Sequence, residues 1–406
     1  MKVLLVNKFF FIKGGAETVY FQERDYLKTA GVQVMEFSMQ HEKNLSSEYE
    51  KWFVSNVDYH GNSGMISKIK TAMDFIHNSE ACSKFNDLLL HEKPDIVHFH
   101  NIYHQLTPSI IAIAHRFGCK TILTAHDYKI VCPSYTMLRD GCVCEECLDG
   151  SVWNAFRHRC QEGSTGKSLL LSLEAMWQDM TRHYHQLDAI ISPSEFLKEK
   201  VIRKITDVPV EVIVNGIDDT KPIGDTRDEG YFLFIGRLSR EKGVATLAQA
   251  HQQMKYPLPL KIAGDGPLYQ ELVARFPHAE FLGYQQQGEG LNELIRHARA
   301  VIVPSEYYEN CSMSVLEAMS FGKPVVGGDI GGIPEQVRHG QEGLLFEPGN
   351  VDALANILDE LAQDPERARQ LGQAARLRLE NKYALRVHME ALMALYQKLL
   401  AGGAHD

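Results

Sequence analysis

Pro304-Ser305-Glu306-Tyr307-Tyr308-Glu309-Asn310-Cys311-Ser312-Met313-Ser314-Val315-Leu316-Glu317-Ala318-Met319 decides how this chain is read. The apolar run before it, Ala300 to Val303, reads as a buried strand. A Pro-Ser turn ends that strand, and a helix is expected to open near Ser312. Glu309 stands just before the helix start and Glu317 about a turn inside it. The first N–H groups of a helix have no intrahelical acceptor, so a helix start is an anion site. A carboxylate before it can hold sugar hydroxyls, and one inside it can hold a ribose diol. Phosphates on the N–H groups and hydroxyls on the acids suit a nucleotide sugar. Acids also collect at helix starts because they favour the macrodipole, so the pair alone fixes no function.

Working outward, short β-branched runs alternate with helical patterns. Val3-Leu4-Leu5-Val6, Val34 to Phe37, Ile96 to Phe99, Thr121 to Ala125 and Ala189-Ile190-Ile191 form a first series. Val210 to Val214, Tyr231 to Ile235, Leu260 to Ala263, Glu280-Phe281-Leu282, Ala300 to Val303 and Pro324-Val325-Val326 form a second. Runs apolar throughout fit parallel strands covered on both faces. Strand–helix alternation then implies doubly wound α/β sheets, with ligands beyond the carboxyl ends of the strands. Two Rossmann-like domains are expected: 1–208, with a Cys-rich insert over 132–160, and 209–378. The polar stretch Asp219 to Gly230 is read as a linker, and Gly402 to Asp406 as a frayed tail.

The 406 residues are 44% hydrophobic and 23% charged, which suits a globular chain with a full core. A net charge of −10 argues against a general nucleic-acid binder. No stretch approaches the ~20 apolar residues of a membrane span. Met1 to Val6 is too short for a signal-peptide core, so a cytoplasmic location is expected, with peripheral membrane contact still open.

Several motifs fall at strand ends. Gly14-Gly15-Ala16-Glu17 follows the first strand; paired glycines let a backbone approach a ligand, although a plain loop would look the same. In Gly236-Arg237-Leu238-Ser239-Arg240-Glu241-Lys242-Gly243, Arg237 and Lys242 are placed to converge on a diphosphate, against the alternative of a solvated charged loop. Ala263-Gly264-Asp265-Gly266-Pro267 is a turn whose glycines could also face a base or phosphate. His126-Asp127 follows another strand, His100 points to the same region, and His98 is expected to pack inside. Gly327-Gly328-Asp329-Ile330-Gly331-Gly332-Ile333-Pro334-Glu335 reads as a close-approach loop ahead of a short helix.

Five of the eight cysteines cluster: Cys132, Cys142, Cys144, Cys147 and Cys160. In a cytosolic protein such clustering points to metal before disulfide. Cys132, Cys144, Cys147 and Cys160 are the best set for a tetrahedral structural zinc, with Cys142 or His158 able to substitute, and reduced thiols the alternative. Residues 164–185 look like an amphipathic helix whose apolar face packs on the sheet; a lipid or membrane contact is the other reading.

Together these motifs resemble the family-4 retaining glycosyltransferases of the GT-B fold, over nearly the whole chain. The most specific part is Glu309 with seven residues before Glu317, followed by Gly236-Arg237 with Lys242-Gly243. The resemblance implies two Rossmann-like parallel-sheet domains facing across a cleft, with a last helix, within 379–406, returning to the first domain. Arg237 and Lys242 would neutralise the donor diphosphate, Glu309 would hold the donor sugar, and Glu317 the ribose. His126 would sit at the sugar and phosphate. Gly14 and Gly15 would face acceptor and diphosphate, and Gly264, Ser312, Met313 and Ser314 would complete the nucleotide site. The donor would be a UDP- or GDP-sugar and the acceptor a glycan, lipid-linked in the surface-polysaccharide pathways that the Cys-rich insert resembles. No cofactor is expected for catalysis, because the cations are protein-borne. Where the family often has Pro or Gly with an aromatic and then Gly, this chain has Asn310-Cys311-Ser312, which leaves the donor sugar open. An epimerase of the same fold and a non-catalytic nucleotide-sugar binder are the alternatives.

Overall fold

The computed structural model describes residues 1–56, 65–220 and 227–402. The chain forms two compact units. One comprises Met1–Arg139, Cys144–Ile213 and the chain from Met389 onward; the other comprises Val214–His388 with Asp140–Val143. The middle of the expected linker, 221–226, and the tail 403–406 lie outside the described residues.

The first unit is built on β1 (Lys2–Val6), β2 (Gln33–Phe37), β3 (Ile96–Phe99), β4 (Lys120–Thr124), β7 (Ala189–Ser192) and β8 (Val210–Val212), in the order β2-β1-β3-β4-β7-β8. A hairpin of β5 (Leu138–Arg139) and β6 (Cys142–Val143) stands apart. The second unit is built on β9 (Phe232–Ile235), β10 (Leu260–Ala263), β11 (Glu280–Gly283), β12 (Ala300–Val303), β13 (Val325–Gly328) and β14 (Gly343–Phe346), in the order β11-β10-β9-β12-β13-β14. Every pairing within the two six-stranded sheets is parallel.

Both-sided burial explains the uninterrupted apolar runs. In the second sheet Phe232 and Phe234 enter one core layer with Ile262, Ile302 and Val326. Leu233 enters the opposite layer with Val301, Val303 and Val325. Each such side chain contributes about 1.5–3 kcal/mol on burial. Two strand assignments need correction. The run at 210, expected to open the second domain, pairs with β7 and closes the first sheet. The strand Gly343-Leu344-Leu345-Phe346 was not foreseen, having no β-branched residue to mark it.

Strand order fixes where a ligand belongs. In the second sheet the connections run outward in opposite directions from β9 and β12, so the switch point lies between them. In an open α/β sheet the ligand crevice belongs there, beyond the carboxyl ends. Ile235 and Val303 are the last residues of those strands, which puts Gly236-Arg237 and the Pro304 segment at its mouth. In the first sheet the switch lies between β1 and β3, beyond Val6 and Phe99. Among the described residues no helix is long and apolar enough to cross a membrane.

Candidate active site

The segment after β12 is held by backbone contacts that only glycine allows. A Cβ on Gly243 would lie 1.8 Å from the Pro304 carbonyl oxygen, and one on Gly328 2.6 Å from that of Ser305. A Cβ on Gly331 would lie 2.4 Å from the Glu309 oxygen, and one on Gly332 1.7 Å from that of Asn310. Hydrogen bonds fix the same segment: Glu306 N donates to Glu241 O at 2.8 Å, and Gly332 N to Glu309 O at 2.7 Å. The Thr246 hydroxyl donates to the Glu306 carboxylate.

This frame delivers Glu309 to Lys242. Lys242 Nζ donates to Glu309 Oε1 at 2.7 Å and to the Tyr307 hydroxyl oxygen at 3.1 Å. Ser305 Oγ donates to the same Oε1 at 2.7 Å, and the Tyr307 hydroxyl donates to Oε2 at 3.1 Å. The Glu309 side chain keeps only 8% of its surface exposed. Burial alone would raise its pKa, but the Lys242 charge and these donors outweigh it and hold the carboxyl below its usual range. The same pairing overcomes the desolvation of Lys242 and raises its pKa. Both groups are therefore ionised at neutral pH.

The helix that follows runs Met313–Ser320. Ser312 is its N-cap but its side chain caps no amide. Instead the Gln336 amide clamps the Ser312 backbone, accepting from Ser312 N at 2.8 Å and donating to Ser312 O at 3.1 Å. The expectation that Ser312 offers its N–H to a phosphate is thus corrected, because Gln336 occupies it. The amides of Met313 and Ser314 begin the helix and have no intrahelical acceptor. Ser314 Oγ donates to Ile235 O at 3.2 Å, which seats the helix start beside the end of β9. Arg237 follows there, exposed. Glu317 is half-buried one turn into the helix; burial pushes its carboxyl up to about 7, against a hydrogen bond from Gln287.

At Gly264, read as part of a turn that could also face a base or phosphate, the backbone amide is already engaged. Its N–H donates to Gly283 O at 2.8 Å, and a Cβ there would lie 1.8 Å from Gly236 O. The residue lets two backbones touch and has no amide to offer a ligand.

In the first unit Gly14 caps the Gly15–Thr29 helix, and both glycines are exposed at its start. His126, beyond β4, is half-buried, with Nε2 2.8 Å from His100 Nδ1. Beside it Asp127 accepts from the Tyr103 hydroxyl at 2.5 Å and from Lys129 N at 2.9 Å, and burial raises its pKa. Lys8 Nζ lies 3.7 Å over the Tyr103 ring, and burial lowers its pKa to about 8.

Residues 13–221 match the model of Glycosyltransferase Family 4, and residues 218–378 that of Glycosyl transferases group 1. The chain belongs to glycosyltransferase family 4. It is 24% identical over 375 residues to an alpha-maltose-1-phosphate synthase of Mycolicibacterium smegmatis, covering 84% of this chain and 85% of that protein. It is 38% identical over 169 residues to the O-antigen chain mannosyltransferase B of Escherichia coli, covering 38% of this chain and 43% of that one. Its fold is similar to sucrose-phosphate synthase of Thermosynechococcus elongatus (TM-score 0.72, 20% identity, 99% of each chain). It is likewise similar to Anabaena HepE in complex with UDP and glucose (TM-score 0.65, 16% identity, 98% of this chain and 100% of that one). These neighbours give the two-domain GT-B architecture.

The five clustered cysteines of this glycosyltransferase lie in the segment between β4 and β7. Cys147 is half-buried, and its thiol is pushed up to about 12 by burial and by the neighbouring Cys132, Cys160 and Cys144. Tyr135, Met137, Asp140, Arg159 and Glu162, all within 132–162, have left-handed backbones without being glycine. Among the described residues the group of His, Cys, Asp or Glu ligand atoms lying within 4.8 Å of one another is Glu23, His98 and His100, not the cysteines.

Ser305, Tyr307, Gln287 and Gln336 contact the candidate site residues Glu309, Ser312 and Glu317, and the sequence did not mark them. Ser305 and Tyr307 stood in the quoted segment, yet an irregular loop has no period to reveal which side chains turn toward Glu309. Gln336 acts on Ser312 from 24 positions away, so no local pattern marks it.

Proposed function

We propose that this glycosyltransferase retains the anomeric configuration and moves a hexosyl group from a UDP- or GDP-sugar to a lipid-linked glycan during surface-polysaccharide assembly. It would work in the cytoplasm, peripherally at the inner membrane face. The observation that carries this reading is the ionised Lys242–Glu309 pair beside an uncapped helix start, at the β9/β12 switch point. The UDP named for HepE and the O-antigen role named for the E. coli enzyme support the donor and the pathway. Lys242, Arg237 and the amides of Met313 and Ser314 would offset the diphosphate charge as the glycosidic bond breaks. Glu309 would hold hydroxyls of the sugar. Same-face attack, with the departing phosphate taking the acceptor proton, would give retention without a covalent intermediate. Screening donors for released UDP or GDP, then reading the product's anomeric coupling by NMR, tests this. An inverted product removes the retaining mechanism, and an altered donor sugar without a new glycosidic bond favours an epimerase.

Glu317 gives a pH signature. Its carboxyl titrates near pH 7, and two ribose hydroxyls donating to it would favour the ionised form. Nucleotide affinity should therefore be level above about pH 7 and weaken on acidification, by up to about tenfold per pH unit. The nucleotide phosphate titrates in the same range, so the measurement is calorimetry of UDP or GDP binding from pH 5.5 to 8 on wild type and Glu317→Gln. Equal slopes in the two proteins would remove the ribose role.

We also propose that Cys132, Cys144, Cys147 and Cys160 hold a structural zinc. Support comes from their gathering around Cys147 in the stretch 132–162, which carries five left-handed non-glycine residues that a metal would pin. Elemental analysis of unchelated protein should give about one zinc per chain, and chelation should lower the melting temperature. Metal-free protein with an unchanged melting temperature would end the proposal.

A further inference from the structure

The chain passes between its two units at Ile213/Val214 and again at His388/Met389. Inside the second unit the residues next to these two crossings are bound to each other. Ile217 and Ala384 form a parallel bridge, with Ile217 N donating to Tyr383 O at 3.0 Å and Leu385 N to Ile217 O at 2.8 Å. His388 Nδ1 lies 2.7 Å from Val214 O. Gly216 lets the two stretches close up: a Cβ there would lie 2.8 Å from both Leu385 Cα and His388 Cβ. Residues 214–217 and 383–388 therefore form one connecting ribbon.

That ribbon reaches the segment that carries Glu309. Asn215 Nδ2 donates to Cys311 O at 3.3 Å. The Tyr383 hydroxyl donates to Glu335 O at 2.7 Å, and Gln336, the next residue, clamps both backbone groups of Ser312. The consecutive residues Cys311 and Ser312 are thus gripped by two neutral side-chain amides, one in the ribbon and one beside a residue bonded to it. The Met313 and Ser314 amides, which have no intrahelical acceptor, follow directly. Asn215 is 7% exposed, and among the described residues its Oδ1 has no hydrogen-bond partner. A side-chain amide can make four hydrogen bonds, and burying one with an empty acceptor costs stability relative to an apolar side chain of similar shape. What the Asn215 side chain supplies is position: it fixes where the Cys311 carbonyl stands, and with it the helix start.

We propose that Asn215 is a positioning residue that couples nucleotide binding at the start of the Met313–Ser320 helix to the order of the connecting ribbon. The coupling rests on the reading of that helix start as the diphosphate site; the clamp on Cys311 does not. A diphosphate held by the Met313 and Ser314 amides restrains the turn before them. The Asn215 bond passes that restraint to 214–217 and, through the bridge at Ile217, to 383–388. Such coupling is reciprocal. With the ribbon cut loose from Cys311, the nucleotide must order the turn by itself and binds more weakly.

The test is hydrogen–deuterium exchange of the full-length protein with and without UDP or GDP, on wild type and Asn215→Ala. In wild type the nucleotide should slow exchange in peptides covering 311–316, 213–218 and 383–388. In Asn215→Ala it should slow exchange at 311–316 alone, with the nucleotide Kd raised about fivefold or more and the melting temperature of nucleotide-free protein unchanged. Asn215→Asp keeps the size and removes the amide donor; it should behave in the same way, and it decides if the alanine variant does not fold. Ribbon protection at the wild-type level in the folded variant would overturn the proposal. So would a lowered melting temperature with wild-type affinity, the pattern of a merely structural residue. Protection confined to 311–316 in wild type would overturn the coupling and leave the diphosphate reading intact. If neither nucleotide protects 311–316 in wild type, the diphosphate reading falls and the coupling with it, whereas faster exchange at 311–316 in nucleotide-free Asn215→Ala keeps the clamp on Cys311.

Discussion

Lys242→Ala should lower glycosyl transfer by about 10²–10³-fold, the usual cost of removing one donor that stabilises charge developing in a transition state. Lys242 is the cation of the site whose placement is fixed by Glu309 and Tyr307. Its ammonium has three donors, so a pyrophosphate oxygen can be met without breaking the Glu309 contact. The same substitution also strands the Glu309 carboxylate among Ser305 and Tyr307 hydroxyls. About 25% of the Lys242 side chain is exposed, so the loss of the pair should cost toward the low end of the several kcal/mol seen when a buried partner is deleted. A drop in activity alone would therefore be ambiguous. Lys242→Met combined with Glu309→Gln separates the two effects: no unpaired charge remains, so stability should return toward wild type while transfer stays low. Melting temperature and single-turnover rates on all variants supply the readout. Recovery of transfer in the double variant would mean that the pair is structural and the diphosphate is held elsewhere.

What sequence could disclose here follows from the range of the forces involved. Most strands were legible because burial on both faces demands apolar residues at every position, as in Ala300 to Val303. Pairing is a tertiary property, and nothing in Val-Glu-Val at 210 distinguishes the edge of one sheet from the start of another. Lys242 and Glu309 were legible as members of motifs, and they meet because β9 and β12 are neighbours in the sheet. The glycines at 327–332 were legible as a close-approach loop, although not which backbones they would let touch. At Gly264 the amide is already taken by Gly283, and the missing side chain serves a backbone contact. Ser312 follows the same logic through Gln336, a partner no spacing rule identifies.

Gly332→Ala should be among the most damaging single-methyl changes in the chain. Its backbone is ordinary (φ −86°, ψ −3°), so alanine meets no conformational penalty there. The obstacle is space: the new Cβ would sit 1.7 Å from the Asn310 carbonyl oxygen and 2.9 Å from its carbon. Both are backbone atoms of a segment held on its other sides by Gly243, Gly328 and Gly331, so no flexible side chain can yield. Overpacking of this kind costs about 1–3 kcal/mol and more where relaxation is blocked. Relief requires the 309–310 backbone to move by about an ångström, which carries Glu309 away from Lys242, and misplacement on that scale is worth about 10² in rate. Gly349 supplies the contrast. It has φ +78° and open space around its Cβ position, so Gly349→Ala meets conformational strain alone. That variant should lose about 1 kcal/mol and keep its activity. Urea unfolding and kcat/KM of the two variants side by side make the measurement. Wild-type stability and activity in Gly332→Ala would mean that the glycine loop does not brace Glu309, and the geometry of the donor site would have to be drawn again from Lys242 alone.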